Sequence, residues 1–500
     1  MSKYILGIDQ GTTGSTAVLV DKNLQVKAKV GVEFPQHFPK PSWVEHDLGE
    51  IWVSVCDAVN GVMKKAGASP SDVVSIGITN QRETTCLWER KPDAPQVCRA
   101  IVWQDRRTSA ECQKLKKQGL ERTINRRTGL LLDPYFSGTK LAWMLKNVSG
   151  ASRAAKDGKI AFGTVDSYLL YRMTGEHATD VSNASRTMLM NIKSLKWDKD
   201  QLKLLKVPES ILPEIKPSAV EYGRTRGFLD FPDGIPVAGI AGDQQAALFG
   251  QGCFRKGSAK CTYGTGAFVL VNTGSQPVFS KHKLLTTVAW QLGNEVTYAV
   301  EGSAFIAGAS VQWLRDGLNL IDASAEVEAL AASVEDSDGV VFVPGFTGLG
   351  APHWLADATG LVTGLTRRTT KAHLARATLE GIAFQVKELL EAMGKDLGKK
   401  PSPLKVDGGA SANNLLMQFQ SDILGVKVAR PKVLETTALG STIQAGLAVG
   451  FWSGIKEVEK LLSSEALDKT FTSTMSTKER NLRVESWEKA IKAVKLLAKG

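Results

Sequence analysis

The chain opens with two apolar runs separated by a short polar turn. Residues 4–8 and 16–20 are apolar, and the turn between them contains Gly11 and Gly14. High strand propensity on both sides of a glycine turn predicts a β-hairpin. Because glycine permits close approach of the backbone, such a turn can offer its N–H groups to a phosphate. A tight hairpin with a polar tip that binds nothing explains this stretch equally well.

Asp9 ends the first apolar run, directly beside the turn. A carboxylate is a poor partner for phosphate but a good ligand for Mg²⁺, which takes few oxygen ligands from protein. The run after the turn is again typical of a strand, whereas P-loops and dinucleotide-binding turns lead into a helix. Neither GxxxxGK[ST] nor GxGxxG occurs in the sequence. The hairpin is therefore a candidate phosphate site of another kind.

A second stretch, residues 260–271, repeats the order strand, glycine-threonine turn, strand. Two such hairpins can clamp a polyphosphate, which is the arrangement of actin-like ATPases, and the pair is more specific than either hairpin alone. We predict an α/β fold of two actin-like ATPase (ribonuclease H-like) domains with an interdomain cleft. The predicted domains are residues 1–249 and residues 250–500.

Polar residues follow the predicted strands of the first half. A strand predicted over residues 73–79 leads to Arg82 and Glu83, and one predicted over residues 100–103 leads into another polar run. Ligands gather at strand ends in open α/β sheets, although a surface ion pair is the simpler explanation of the first pair alone. Tyr135 precedes a helix predicted from residue 141, and either contacts a ligand or packs beneath its loop.

Three further candidate sites lie within predicted helices or where they begin. Asp243 begins a helix of small residues, and it either caps that helix or belongs to a site. Gly308 and Gln312 share one face of a helix predicted over residues 305–318. Gly409 precedes Asn413 and a helix predicted over residues 412–424. Glycine lets a flat ring lie against the backbone, but an ordinary strand-to-helix turn uses glycine too.

Composition narrows the class of protein. The chain has 500 residues, 43% of them hydrophobic, which is enough for two or three domain cores. Its formal charge is +11, but the basic residues are dispersed, so we expect an anionic small molecule rather than nucleic acid. We expect no membrane span and a cytoplasmic protein, since no long apolar run occurs. The six cysteines lack CxxC spacing and are expected to be free thiols.

Several longer strings, taken together, resemble the FGGY family of carbohydrate kinases. They include GIDQGTT, TNQRETT, DPYFSGTK, GIAGDQQAALFGQ, TYGTG and VDGGASANN, and they follow the family's order along essentially the whole chain. The resemblance implies ATP-dependent phosphorylation of glycerol to sn-glycerol 3-phosphate in glycerol catabolism. It also implies ATP and Mg²⁺ as cofactors, and we expect a homo-oligomer.

The resemblance also assigns roles to individual residues. Asp243 would be the general base and Asp9 would serve Mg²⁺. Glycerol would be bound by Arg82, Glu83, Trp103, Tyr135, Asp243, Gln244 and Phe268. ATP would be bound by Thr12, Thr13, Gly14, Thr265, Gly308, Gln312, Gly409 and Asn413.

The chain departs from the family pattern in its first hairpin. The family commonly has an arginine where this chain has Thr16, so one cation that faces phosphate is missing. We expect either weaker nucleotide binding or replacement by a nearby lysine. Residues 226–234 also differ from the glycine- and lysine-rich regulatory loop of some relatives, so control by a sugar phosphate is not carried over.

Two alternative functions remain open at this point. The first is phosphorylation of another polyol or a ketopentose by the same chemistry. The second is an actin-like ATPase switch, which would have no need of the polyol-binding residues.

Overall fold

A computed structural model describes residues 3–433, 435–464 and 467–498. In chain order, the strands β1 to β23 are Tyr4–Gln10, Gly14–Val20, Val26–Glu33, Glu45–His46, Val73–Asn80, Cys86–Glu89, Ala100–Ile101, Ile160–Gly163, Ala178–Asp180, Met190–Asn191, Lys196–Trp197, Glu214–Lys216, Ala219–Arg224, Pro236–Gly242, Ala259–Tyr263, Ala267–Gly274, Leu285–Leu292, Glu295–Ala304, Val341–Val343, Leu361–Thr363, Leu404–Asp407, Val428–Pro431 and Leu467–Phe471.

The helices α1 to α16 are Leu48–Ala66, Ser109–Lys117, Glu121–Thr128, Ser137–Asn147, Ala151–Lys156, Val165–Thr174, Val181–Ala184, Lys199–Leu205, Asp243–Gly250, Gly308–Asp316, Glu326–Ala332, Lys371–Leu397, Asn414–Leu424, Thr436–Ala448, Ile455–Ser464 and Thr477–Leu497. Short 3₁₀ turns cover Pro70–Asp72, Glu209–Ile211 and Gly409–Ala412. Across the described part of the chain, no helix is both long and apolar enough to cross a membrane.

One large sheet contains both predicted hairpins. Its strand order is β23-β22-β21-β15-β16-β18-β17-β13-β14-β5-β1-β2-β3. In the first hairpin, β1 pairs antiparallel with β2 and parallel with β5; in the second, β15 pairs antiparallel with β16 and parallel with β21. β2 and β16 each pair antiparallel with a third strand, β3 and β18 respectively. The coarse repeat predicted from the sequence is confirmed.

The two halves of the sheet meet where β13 pairs in parallel with β17, at Ala219 and Leu292. The helix α14, from the second half of the chain, also packs against strands of the first half. Gly7, Gly77 and Gly239 lie side by side on β1, β5 and β14. A Cβ on Gly77 would stand 2.4 Å from Ser441 O of α14. The helix therefore lies directly on the backbone of the sheet, while the domain boundary at residue 250 stays a prediction.

The first helix shows how local sequence sets the two ends of a helix. Asp47 accepts hydrogen bonds from the N–H groups of Gly49 and Glu50, and Gly67 ends α1 in the left-handed conformation with φ 60°. An Asp cap and a terminal glycine are standard helix boundaries, and the buried residues between them face the core.

The six cysteines are free, and four of them are buried.

Four predicted boundaries were wrong. The helix predicted over residues 412–424 begins at Asn414, after the 3₁₀ turn Gly409–Ala412. The strand predicted over residues 100–103 is the two-residue β7, which pairs with β4 outside the large sheet. The helix predicted from residue 141 begins at Ser137, whose hydroxyl donates to Glu83 O. The helix predicted over residues 305–318 covers Gly308–Asp316.

Candidate active site

A sharp turn after β5 places Arg82 and Glu83 in the interior. Glu83 has φ 63°, a left-handed conformation that is uncommon for a residue with a side chain. The two residues are 2% and 1% exposed. Such local strain persists only where the surrounding structure holds it, and it is frequent at functional sites. The predicted surface ion pair is therefore excluded for these residues.

Arg82 is surrounded by acceptors. Its Nε lies 3.1 Å from Asp243 Oδ1, and its Nη2 lies 3.1 Å from Glu301 Oε1 and 3.4 Å from the Tyr135 hydroxyl. Its Nη1 donates to Glu301 and, at 3.2 Å, to Gln245 Oε1. The Arg82 guanidinium therefore contacts the predicted base Asp243, the predicted polyol-binding residue Tyr135 and the buried carboxylate of Glu301.

A second buried arginine completes the charge network. Arg186 donates from Nε to Glu83 Oε1 at 2.6 Å and from Nη2 to Glu301 Oε1 at 2.9 Å. Burial alone would raise the pKa of Glu301, but Arg186 and Arg82 outweigh it and hold that pKa below its ordinary value. Burial does raise the pKa of Glu83, although the same two arginines oppose it. The pKa of Glu301 therefore lies below its ordinary value, whereas the pKa of Glu83 lies above it.

Aromatic rings contact this charged cluster through Tyr135. Trp103 packs edge-on against Tyr135, with ring centroids 5.6 Å apart, and against Phe268 at 6.2 Å. Its indole N–H donates to the Thr12 hydroxyl at 2.9 Å. Thr12 lies in the turn of the first hairpin, and Phe268 lies in β16, the second strand of the second hairpin. Trp103 therefore contacts both hairpins and Tyr135, a residue predicted to bind the polyol. Burial raises the pKa of Tyr135, which keeps its hydroxyl protonated.

Asp243 is the first residue of α9, and the cap position belongs to Gly242. Asp243 Oδ1 accepts the N–H of Gln244 at 2.7 Å, and the Asp243 side chain is 28% exposed. Lys260 donates to Gln244 Oε1 and, at 2.7 Å, to the Thr262 hydroxyl. Since an ammonium group only donates, it fixes the Gln244 amide with its N–H₂ group directed away from Lys260.

Asp9 lies at the end of β1, opposite Thr16 on β2. Its pKa is raised to about 8, first by burial and then by the negative charges of Asp243 and Glu435, with Lys29 opposing. The raised pKa shows that the negative charge of Asp9 is poorly compensated, which a cation would relieve. Within residues 3–433, 435–464 and 467–498, no three His, Cys, Asp or Glu side chains converge as a metal site. A single carboxylate such as Asp9 fits a role as one ligand of Mg²⁺, which takes few oxygen ligands from protein.

A separate pocket of about 470 Å³ opens beside the second hairpin. Its lining includes five of the residues predicted to bind the nucleotide: Thr265, Gly308, Gln312, Gly409 and Asn413. The other three, Thr12, Thr13 and Gly14, lie at the turn of the first hairpin. Asn413 Oδ1 accepts the N–H of Leu416 at 2.9 Å as the cap of α13, which leaves its amide N–H₂ group as the donor for a ligand.

The wall of this pocket is built on the second hairpin turn. The N–H groups of Ala307 and Gly308 donate to Thr265 O at 2.7 Å and to Gly264 O at 2.9 Å. A Cβ on Gly308 would stand 2.6 Å from Gly264 O, so glycine is required for this contact. The turn and the start of α10 therefore form one unit.

Local motifs assign no role to Arg186, Glu301 or Lys260. Each of the three is buried. A lone charge inside an apolar strand, as at Glu301 and Lys260, signals a buried partner, because an unpaired buried charge is costly. The pattern does not reveal which partner it is.

The chain matches the models of a known protein family in both of its halves. The N-terminal domain model of the FGGY family of carbohydrate kinases matches residues 4–250, and the C-terminal domain model matches residues 259–449. A glycerol kinase of Myxococcus xanthus is 54% identical over 494 residues, covering 98% of this chain and 99% of the relative. One from Oceanobacillus iheyensis is 54% identical over 495 residues, covering 99% and 98%.

The crystal structure of Plasmodium falciparum glycerol kinase with ADP superposes with a TM-score of 0.90. It is 36% identical to this chain and covers 99% of it and 98% of its own length. The fold is thus the two-domain actin-like, ribonuclease H-like ATPase fold of these kinases. The family models span most of the sequence, and the chain belongs to the FGGY family of carbohydrate kinases.

Proposed function

We propose that this protein transfers the γ-phosphoryl group of ATP to a primary hydroxyl of glycerol, giving sn-glycerol 3-phosphate and ADP. The observation that carries the proposal is the contact of Arg82 with Asp243 and with Tyr135, whose ring packs against Trp103. Charged groups and aromatic rings brought together suit a short polyol, whose hydroxyls need partners and whose carbon chain does not. The identity to relatives named glycerol kinase supports the same substrate.

In the proposed mechanism, positioning and charge stabilisation do most of the work. Asp243 accepts the proton of the attacking hydroxyl as its oxygen bonds to phosphorus, while Arg82 holds the Asp243 carboxylate in place. Glu83 and Gln244 offer an acceptor and a donor to the remaining hydroxyls. Trp103, Tyr135 and Phe268 would contact the carbon chain.

The nucleotide would lie between the two hairpins. Thr12, Thr13 and Gly14 would bind its phosphates from one side and Thr265 from the other, while Gln312, Gly409 and Asn413 would hold the adenosine. We infer that Asp9 holds Mg²⁺, which when bound would neutralise charge on the phosphates. A cytoplasmic homo-oligomer with domains 1–249 and 250–500 stays a prediction.

An assay of ADP release decides between this function and its alternatives. We expect ADP release to depend on glycerol, with stoichiometric glycerol phosphate as product. A higher kcat/KM for xylulose or gluconate than for glycerol would assign another sugar substrate. Rapid ADP release without any polyol would instead favour an ATPase switch.

A further inference from the structure

Glu301 and Arg186 lie behind the proposed polyol residues and contact them from the interior. Glu301 is in β18, in the second half of the chain, and it bonds Arg82 across 219 sequence positions. Arg186 bonds both Glu301 and Glu83. The side chains of Arg186 and Glu301 are 0% exposed, so neither meets solvent.

The Glu301 carboxylate fixes the plane of the Arg82 guanidinium. Both of its oxygens accept from the two terminal nitrogens of Arg82, which is the bidentate geometry that restrains a guanidinium most strongly. With the plane fixed, Nε is directed to Asp243 and Nη2 to Tyr135. The long 3.4 Å contact with the Tyr135 hydroxyl is the one that a substrate hydroxyl can replace at least cost.

Arg186 restrains the Glu83 carboxylate through one of its two oxygens. It occupies Glu83 Oε1 at 2.6 Å, and in the part of the chain that the structure describes, Glu83 Oε2 has no hydrogen-bond partner. Arg186 also lies over the rings of Tyr135 and Phe136, at 5.7 and 5.4 Å from their centroids. One oxygen of Glu83 is thus held, and the other is left to accept from a ligand.

We propose that Glu301 and Arg186 are positioning residues for the polyol, acting through Arg82 and Glu83 without touching the substrate. The inference rests on the proposed function. It adds that the second half of the chain contributes more than Phe268 to the polyol site, because the carboxylate that orients Arg82 comes from β18. It also explains why three ion pairs are buried here, between Arg82 and Glu301, Arg186 and Glu83, and Arg186 and Glu301, despite the cost of removing charges from water.

The variant Glu301→Gln tests the proposal, since it keeps the shape but weakens the bidentate acceptor. Arg82 should then turn, and we expect kcat/KM for glycerol to fall about 10²-fold, the scale of a small misplacement of a binding group. The KM for ATP should change little. A purely structural defect lowers the active fraction and hence kcat for both substrates, without raising one KM alone.

Glu380→Gln is the matched control. Glu380 is also buried and also bridges two arginines, accepting from Arg376 Nε at 2.9 Å and from Arg483 Nη1 at 3.3 Å, away from the polyol residues. It should lose stability comparably and keep the wild-type KM for glycerol. If both variants show the same kinetic change, or if Glu301→Gln keeps the wild-type KM, the proposal is wrong.

Should Glu301→Gln fail to fold, Arg186→Lys decides, because lysine keeps the buried charge but cannot bond Glu83 and Glu301 in the same geometry. A selective rise in the KM for glycerol supports the proposal, and unchanged kinetics overturn it. Wild-type activity with glycerol is measured in parallel. Its absence would refute the proposed function itself, whereas a change confined to the variants concerns only the positioning residues.

Discussion

Asp243 combines two contacts through one oxygen. Its Oδ1 accepts from the Gln244 N–H at 2.7 Å and lies 3.1 Å from Arg82 Nε. Asparagine can accept from the same two groups, but it cannot take a proton. Replacing Asp243 with asparagine therefore distinguishes a structural role of Asp243 from a catalytic one.

We expect Asp243→Asn to melt at nearly the wild-type temperature while turnover falls by about 10²-fold or more, the usual effect of losing a positioned base. The control is Asp47→Asn, because Asp47 is a true helix cap that asparagine can replace and lies at α1. Calorimetry and steady-state rates on the same preparations check the pair. Early melting of Asp243→Asn with most of its turnover retained would assign Asp243 to structure.

Asp9 should make stability depend on pH in a direction opposite to most carboxylates. Its pKa is about 8 in the folded chain and near 3.8 when unfolded, so between these values the unfolded chain binds fewer protons. Stability is therefore lost as the pH rises from about 4 to about 8. Without divalent cations, Asp9→Asn should melt increasingly above wild type over this range, and Mg²⁺ should stabilise wild type more than the variant. If the melting temperatures of wild type and Asp9→Asn differ by the same amount at every pH, the prediction is wrong.

At the scale of elements, glycines decide how closely helices and ligands approach the backbone. At Gly77 an added Cβ meets the backbone of α14, whereas at Gly409 it meets no described atom within 4 Å. The first glycine is thus used for packing. The second borders the pocket proposed for the nucleotide, where the backbone is open to a ligand.

We expect Gly409→Ala to fold normally and to raise the KM for ATP about 10-fold, equivalent to roughly 1.4 kcal/mol of binding free energy. The KM for glycerol should stay unchanged. The control Gly77→Ala should lower the melting temperature, because its methyl group would displace α14 from the sheet. An unchanged KM for ATP in Gly409→Ala would place the adenosine elsewhere.

At the scale of the whole molecule, the residues proposed to bind the ligands come from two halves of one sheet. The hairpins lie in different halves, and the halves meet through β13 and β17 and through the Glu301 contacts. ATP and glycerol together should favour a closed form that excludes water. Small-angle scattering should show a smaller radius of gyration with glycerol and a non-hydrolysable ATP analogue than without ligands. An unchanged radius would contradict closure.

The sequence by itself determined the local elements and the types of chemistry. Both hairpins, α1 with its Asp cap, and the strand that leads to Arg82 follow from residue order, because turn geometry and capping depend on neighbours along the chain. The candidate residues also came from local strings, which the family models match over most of the chain.

Only the tertiary structure decided which charges meet. Arg82 and Glu301 are 219 positions apart, and no periodicity links them; their pairing depends on the register of β16 with β18 and on the junction of the two half-sheets. For the same reason the strand predicted over residues 100–103 was too long: only Ala100–Ile101 form a strand, which pairs with β4 in a small sheet. Burial and partner are properties of the packed chain, because a buried charge takes whichever partner the surrounding elements bring within reach.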